Sequence, residues 1–418
     1  MQDYHCALLN CGEALEEGGA NAVCNGCRSV VYCDVECQTA HWAAHMGDCF
    51  GAVRARLLSG DVHQDDEGGE YVLRTVLSVC KEEFGATDVH VLECMNILGL
   101  FVESQGRHAE AGELFRDCLA ARRAALGPKH KDTLSSMDNL ALVLKVQGNL
   151  MGAVSLMCEV VDTARATLGS QHDSTLTYIN NLAGMREMQG KSSEAEALFR
   201  EVLEVRLATG GPQHCVTLAL MNNLGNLLRG QGRLGEAEPL LRHALEARRA
   251  TLGSQHPKTL LSMGNFAVLL QFQGKLGEAE PLLREALEAE RAILGALHPS
   301  TLTSMSNLAS LLYNQGKLRE AEPLFCEVLA SQRATLGSQH PHAFTSMFNL
   351  GMLLEKLGKL REAEVLYGEA LTGSCRVLGR AHRDTQGACF ALVRVLTAQG
   401  KARDAREVKA QYWQYGGK

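Results

Sequence analysis

From about residue 88 onward, apolar residues recur at spacings of three and four, the pattern of a helix with one buried face. The segment TLLSMGNFAVLLQFQG (259–274) is one such helix, and GEAEPLLREALEAERAILG (277–295) is the next. Gly274 closes the first and Leu294-Gly295 the second, as a glycine past a helix C-terminus does. The pair then repeats. Gly106, Gly148, Gly190, Gly232, Gly274, Gly316, Gly358 and Gly400 follow in steps of 42. His130, His172, His214, His256, His298, His340 and His382 keep the same step, and Pro257 and Pro299, just after two of them, suit a first helical turn. A fixed period of this length predicts a solenoid of helix pairs, each burying its apolar face against the next.

Seven full units begin near residues 88, 130, 172, 214, 256, 298 and 340, and a final pair spans 382–415. GEYVLRTVLSVCKEEFG (69–85) aligns with a second helix that lacks its first, giving a leading half repeat. The pattern resembles tetratricopeptide repeats in the 42-residue form of kinesin light chains. In the fourth unit Leu224, Gly225, Leu228, Ala237, Leu241 and Ala244 fill that family's signature columns, with Leu228 where a tyrosine is usual. Two departures stand out: Arg186 occupies an apolar column, and Ile97 opens a column that is otherwise asparagine.

That column is Asn139, Asn181, Asn223, Asn265, Asn307 and Asn349, on successive first helices. A core position does not favour an amide. One reading is local: each amide bonds the neighbouring helix. The other follows from the resemblance, which implies a concave surface where an asparagine both donates to and accepts from an extended peptide backbone. Around it, Tyr313 and Phe272 would supply apolar contacts, and Arg229 and Lys145 charges. The recurrent histidines are not read as metal ligands. Equivalent residues on stacked helices stand at least about 8–10 Å apart, whereas two donors to one zinc lie within roughly 4 Å. Each histidine belongs to the turn before a helix. Cys80, Cys94, Cys118, Cys158, Cys215, Cys326, Cys375 and Cys389 share no ligand spacing and are expected in the core. Tyr412, Trp413 and Tyr415 are expected to cover the last repeat's apolar face.

The first fifty residues have no such period. They hold Cys6-x4-Cys11, Cys24-x2-Cys27, Cys33-x3-Cys37 and His45-x3-Cys49. Each pair can reach one ion, and eight donors make two closed tetrahedral zinc sites, which are structural because no position is left for a reactive water. Gly26 allows the tight Cys24–Cys27 knuckle, and on a helix over 38–49 His45 and Cys49 share a face. This segment resembles the MYND zinc finger from Cys6 to Cys49, including Tyr32-Cys33, Cys37-Gln38, Trp42 and His45. The resemblance implies interleaved ligands: Cys6, Cys11, Cys33 and Cys37 on one Zn2+, and Cys24, Cys27, His45 and Cys49 on the other. It also implies a protein-interaction head that docks proline-containing peptides near Gln38 and Trp42. His5 and His41 fall outside the ligand pattern. Trp42 is equally read as the core of a very small domain.

The fold expected is therefore mainly α: a small two-zinc finger at 1–50, a helical extension and acidic linker at 51–69, and an α-α superhelical solenoid at 70–418. Of the net charge of −7, −6 lies in the first fifty residues, where Arg28 faces seven acids. That argues against a nucleic-acid partner, which needs a basic face. No apolar run approaches the roughly 18–20 residues of a membrane span, and MQDYHCALLN lacks the basic start of a secretory leader. A reducing compartment, cytoplasm or nucleus, is expected for so many cysteines. The function expected is a non-catalytic scaffold with two peptide-reading surfaces, head and groove. A methyltransferase role, known where MYND fingers adjoin a SET domain, is disfavoured because no room is left between finger and repeats. There is also no glycine-rich cofactor loop or nucleophile elbow in the repeats. A motor-cargo adaptor is suggested by the repeat form alone, without the heptad segment that accompanies it.

Elemental analysis of the purified chain is expected to give two zinc ions per molecule; one or none contradicts the eight-ligand assignment. His45→Ala should release one ion and unfold the head, since structural zinc contributes on the order of 10 kcal/mol. His41→Ala should leave the metal content unchanged.

Overall fold

The structure is a computed structural model that describes residues 67–412 and two short strands, β1 (Ala22–Val23) and β2 (Val31–Tyr32). The strands pair antiparallel, Ala22 opposite Tyr32 and Val23 opposite Val31. The chain divides into two compact units, Met1–Val202 and Leu203–Lys418. In the first unit the described chain opens on a single helix, α1 (Glu67–Phe84). It is followed by the pairs α2 (Val89–Ser104) with α3 (His108–Leu126) and α4 (Lys131–Val146) with α5 (Leu150–Thr167), then by α6 (Asp173–Met188). Helix α7 (Ser192–Gly210) carries the division between the units. The second unit continues with α8 (Cys215–Gly230) and α9 (Leu234–Leu252), α10 (Pro257–Phe272) and α11 (Leu276–Leu294), α12 (Pro299–Asn314) and α13 (Leu318–Thr335). It ends with α14 (Pro341–Lys356) and α15 (Leu360–Leu378), then α16 (Arg383–Ala398) and α17 (Ala402–Tyr412). The linker's last residues, 67–69, already belong to α1.

The recurrent residues define the helix ends. Each repeat histidine is the N-cap of a first helix, and its Nδ1 accepts the backbone N–H two residues on. The distances are 3.2 Å at His130, 3.1 Å at His256 and 3.2 Å at His298. A ring nitrogen thus satisfies one of the orphan donors that every helix start leaves, a task usually given to Ser, Thr, Asp or Asn. Asp88 performs it in the first repeat, accepting from His90 at 2.8 Å. At the other end Gly274 takes φ 77°. Its N–H bonds the Gln271 carbonyl at 3.0 Å, and Lys275 N–H bonds that of Leu270 at 2.9 Å, a Schellman closure.

The polar residues around that glycine bind one repeat to the one before. The Gln315 amide donates to the Leu276 carbonyl and to Glu280, at 3.3 and 3.0 Å, and Lys317 pairs with Glu280 at 2.8 Å. Lys317 first, then Gln315, hold the Glu280 carboxyl down at about 2. On the other end of the second helices Arg249–Glu285 and Arg291–Glu327, each 2.8 Å, repeat the device. Such surface pairs contribute about 0–1 kcal/mol apiece, so they set register more than stability.

Stability lies in the apolar seam between helices of a pair. Leu224, Leu228, Ala237, Leu241 and Ala244 are all buried. The seam is tight because one first-helix column is small: Gly99, Ala141, Ala183, Gly225, Ala267, Ala309 and Gly351. A Cβ at Gly225 would stand 2.6 Å from Leu241 Cγ, and one at Gly351 would stand 2.7 Å from Tyr367 Cε1. Within each unit successive first helices also touch one another, α2 with α4 and α8 with α10, α10 with α12, α12 with α14 and α14 with α16. The first helices therefore lie side by side as one face of each stack.

One expectation is corrected: Cys215 and Cys326 are exposed, and Cys158 and Cys375 half-buried, rather than in the core. Arg186, in an apolar column, is half-buried and reaches Cys158 Sγ at 3.4 Å, Gln189 at 3.1 Å and Glu194 at 3.2 Å. Of the terminal aromatics, Tyr412 is half-buried and its carbonyl accepts from Gln386 at 3.0 Å. Trp413 and Tyr415 lie outside the described residues.

Gly351→Val should lower stability by about 1–3 kcal/mol through overpacking against Tyr367, read as a lower denaturation midpoint. An unchanged midpoint would contradict the close approach.

Candidate functional site

The sequence pointed to two surfaces, and the structure describes one. Cys6, Cys11, Cys24, Cys27, Cys33, Cys37, His45 and Cys49, with Gln38 and Trp42, lie outside the described residues. The β1–β2 pair ends one residue before Cys24 and one before Cys33. The donor set itself, seven thiols and one imidazole, fits the soft, tetrahedral preference of structural zinc. Among the described residues no cluster of His, Cys, Asp or Glu could hold a metal, and no helix is long and apolar enough to cross a membrane.

The asparagine column lies on the first-helix face, and its members are not equivalent. Asn139 donates from Nδ2 to Asn96 Oδ1 at 2.9 Å, and Asn181 donates to Asp138 Oδ1 at 2.9 Å. Asn265 donates to Asn222 Oδ1 at 3.5 Å, and Asn222 in turn donates to Ser262 Oγ at 3.0 Å. Each bond links one first helix to the one before, across a sequence offset of 43. These amides are the local device, and each leaves its own Oδ1 as an acceptor. The offset brings Gly264 beside Asn307 and Ser306 beside Asn349. Neither Asn307 nor Asn349 makes a side-chain hydrogen bond to another described residue. Asn223 is exposed on α8.

The same offset pairs the flanking residues. Arg229 Cζ lies 5.3 Å from the Phe272 ring centre, and Lys356 Nζ lies 4.4 Å from that of Tyr313. Phe272 is 62% exposed all the same, and Phe390, under Arg394 at 5.7 Å, is 54% exposed. Exposed aromatic rings beneath guanidinium groups offer contact area to a partner. Lys145 lies half-buried on α4.

The sequence reading missed a recess on this face. A cavity of about 420 Å³ opens between the starts of α10 and α12, with Leu261, Gly264, Asn265, Glu290, Thr303 and Asn307 among its walls. Leu261 is 58% exposed beside it. The signal was present in the sequence: Gly264 breaks a column of Asn96, Asp138, Asn180 and Asn222.

Asp138 is the other group out of the ordinary. Burial pushes its carboxyl up to about 6 from an ordinary 3.8; the Asn181 bond and Lys145 oppose that rise, while Glu103 adds to it.

A tetratricopeptide-repeat model matches residues 91–150, 135–208, 216–292, 265–334 and 300–375, and a MYND-finger model matches residues 6–49. A search for similar curated proteins returns no match. Among solved structures, the kinesin-light-chain-type, nearly identical TPR-like repeats of Podosopora anserina are 28% identical. They cover 48% of this chain and 95% of their own, with a TM-score of 0.43. The apo quorum sensor NprR from B. thuringiensis is 10% identical over 87% of this chain and 97% of its own, TM-score 0.58. A tetratricopeptide repeat protein from Parabacteroides merdae is 16% identical over 73% of this chain and 98% of its own, TM-score 0.50. The last two are similar in fold alone.

Asp138 offers a test of the first-helix contacts. Its value is raised on folding, so the folded chain holds this proton more tightly, and stability falls as pH rises from about 3.8 to about 6. Above that range the penalty is complete. Asp138→Asn keeps the acceptor for Asn181 and should stabilise the chain by about 1–3 kcal/mol at neutral pH, with the gain vanishing near the acid end of that window. Equal gains at both ends would contradict a buried, ionising Asp138.

Proposed function

Because this chain belongs to the tetratricopeptide-repeat family and carries a MYND finger at residues 6–49, we propose that it is a non-catalytic scaffold that holds extended segments of partner proteins. The observation that carries the proposal is the composition of the first-helix face. It pairs unbonded amides, Asn307 and Asn349, with exposed apolar groups, Leu261, Phe272 and Phe390. An amide that donates and accepts can grip the backbone of an extended peptide whatever its sequence. The apolar side chains beside it supply the area that makes such contacts bind. Asn139, Asn181 and Asn265 each commit one of their two N–H donors to the neighbouring helix and keep the other, with Oδ1, for a ligand.

The head is a second surface in this proposal. Two closed zinc sites hold it together, Cys6, Cys11, Cys33 and Cys37 on one ion and Cys24, Cys27, His45 and Cys49 on the other. Gln38 and Trp42 meet a proline-containing segment. Where one partner offers both segments, the second contact forms at high effective concentration, and avidity exceeds either affinity alone. The proposal places the chain in a reducing compartment, cytoplasm or nucleus, where thiolates stay available to zinc.

Capture of proteins from an extract by the full chain, compared with Asn349→Ala/Phe272→Ala and with Trp42→Ala, tests both surfaces. The expected result is that each variant loses a distinct set of proteins, with affinities reduced roughly tenfold or more as for interface anchors. A full chain that retains no protein, or groove variants that retain every one, contradicts the proposal.

A further inference from the structure

Three departures from the repeat pattern meet at the recess between α10 and α12. The first is Gly264. In earlier repeats its column carries Asn96, Asp138 or Asn222, which accept the amide of the following first helix. Glycine supplies no acceptor, so Asn307 is left unbonded, and a Cβ placed on Gly264 meets nothing within 4 Å. The second is that opened space, about 420 Å³, against about 30 Å³ for a water. The third is Glu290.

The Glu290 column carries arginine in three earlier repeats, Arg122, Arg206 and Arg248, and Ala164, Gln332 and Ser374 in the other full repeats. Arg122 donates to the Asp132 carbonyl and to Ser136 Oγ, both at 2.8 Å. Arg248 donates to the Lys258 carbonyl at 3.0 Å and to Ser262 Oγ at 2.7 Å. At Glu290 the charge is reversed. The residue is 4% exposed, its carboxyl is bonded by Ser304, and Oε2 has no partner among the described residues. A buried carboxylate oxygen without a donor carries a large desolvation penalty. Burial accordingly pushes the Glu290 carboxyl up, with the Ser304 bond and nearby His298 opposing the rise. Glu290 Oε2 thus lacks a donor where Asn307 Oδ1 stands as a second acceptor, and Leu261 and Leu294 form apolar walls.

Resting on the peptide-holding function above, we propose that this recess takes the side chain of an arginine or lysine from an extended segment of a partner protein. The cation meets Glu290 Oε2 at the floor and Asn307 at the wall, and its aliphatic stem lies against Leu261 and Leu294. Such a side chain has the required shape, a methylene stem under a charged head with several donors. An anionic side chain would find the starts of two helices and Lys258, but also the buried carboxyl oxygens of Glu290, which offer it no favourable partner. The helix starts weigh less, since each amounts to about half a charge and the Ser300 N–H is already taken by His298. Lys258 is exposed on the rim, where water and salt screen it.

Selection of random-sequence phage-displayed peptides on the full zinc-loaded chain, with affinities then measured by fluorescence anisotropy, tests this. The expected peptides share one fixed Arg or Lys. Replacing it with norleucine should weaken binding about 30-fold or more, the scale for a desolvated charge contact. Glu290→Arg should do the same, and the two changes together should cost little more than either alone. That variant restores the residue found at Arg122 and Arg248, so its melting curve is expected to match the parent's. Gly264→Asn offers Asn307 its missing partner, fills the recess without changing charge and should also weaken binding. Peptides held on the first-helix face without a basic residue, or indifferent to Glu290→Arg and Gly264→Asn, overturn the recess while leaving the scaffold function in place. Acidic peptides that weaken on Lys258→Ala overturn it as well. If the chain selects no peptide at all, the scaffold function fails and the recess with it.

Discussion

The close approach of the two helices in each repeat governs the rest of the molecule. A column of glycine and alanine on the first helix lets the second come near enough that a single added carbon at Gly225 or Gly351 would collide with Leu241 or Tyr367. Interiors packed to that density have few alternative arrangements. The apolar seam fixes each pair, and burial of what remains fixes each pair on the next. The first helices are then left side by side in one register, with residues 43 apart in contact: Asn96 with Asn139, Asn222 with Asn265, Arg229 with Phe272.

That register turns a core problem into a surface. An asparagine on each of six first helices is too polar for the seam and lies too close to its neighbour to ignore it. Where the neighbour is an Asn or Asp whose Oδ1 reaches it, the amide is used for structure, each bond contributing about 1 kcal/mol. Where the neighbour is Gly264 or Ser306, the amide is left over. In the proposed function, binding capacity on this face is accordingly uneven along the second unit. It concentrates where the ladder is broken and where the buried arginine of other repeats is replaced by Glu290.

The period, the helix pairs and the glycine closures were all legible in the sequence, because each rests on local chemistry or on a spacing that recurs. The histidines were legible as residues before a helix but not as caps. Histidine is an uncommon acceptor there, and only the geometry of Nδ1 over the first-turn amide reveals it. The asparagine column left two roles open; the structure shows Asn139, Asn181 and Asn265 bonded to the side chain 43 positions earlier, and the ligand role belongs to the proposed function. Glu290 and Gly264 were visible as departures. Their meaning was hidden until the partners of Arg122, Arg248 and Asn222 were known. Cys215 and Cys326 were misplaced because small thiols carry little information about which face they occupy.

The central claim is that partner segments lie on the first-helix face. A photo-crosslinking amino acid placed at Thr303 on α12, and separately at exposed Glu288 on α11, measures this directly in the full chain incubated with captured partners. The account predicts covalent adducts from position 303 and none from position 288. Adducts from position 288 alone would contradict it.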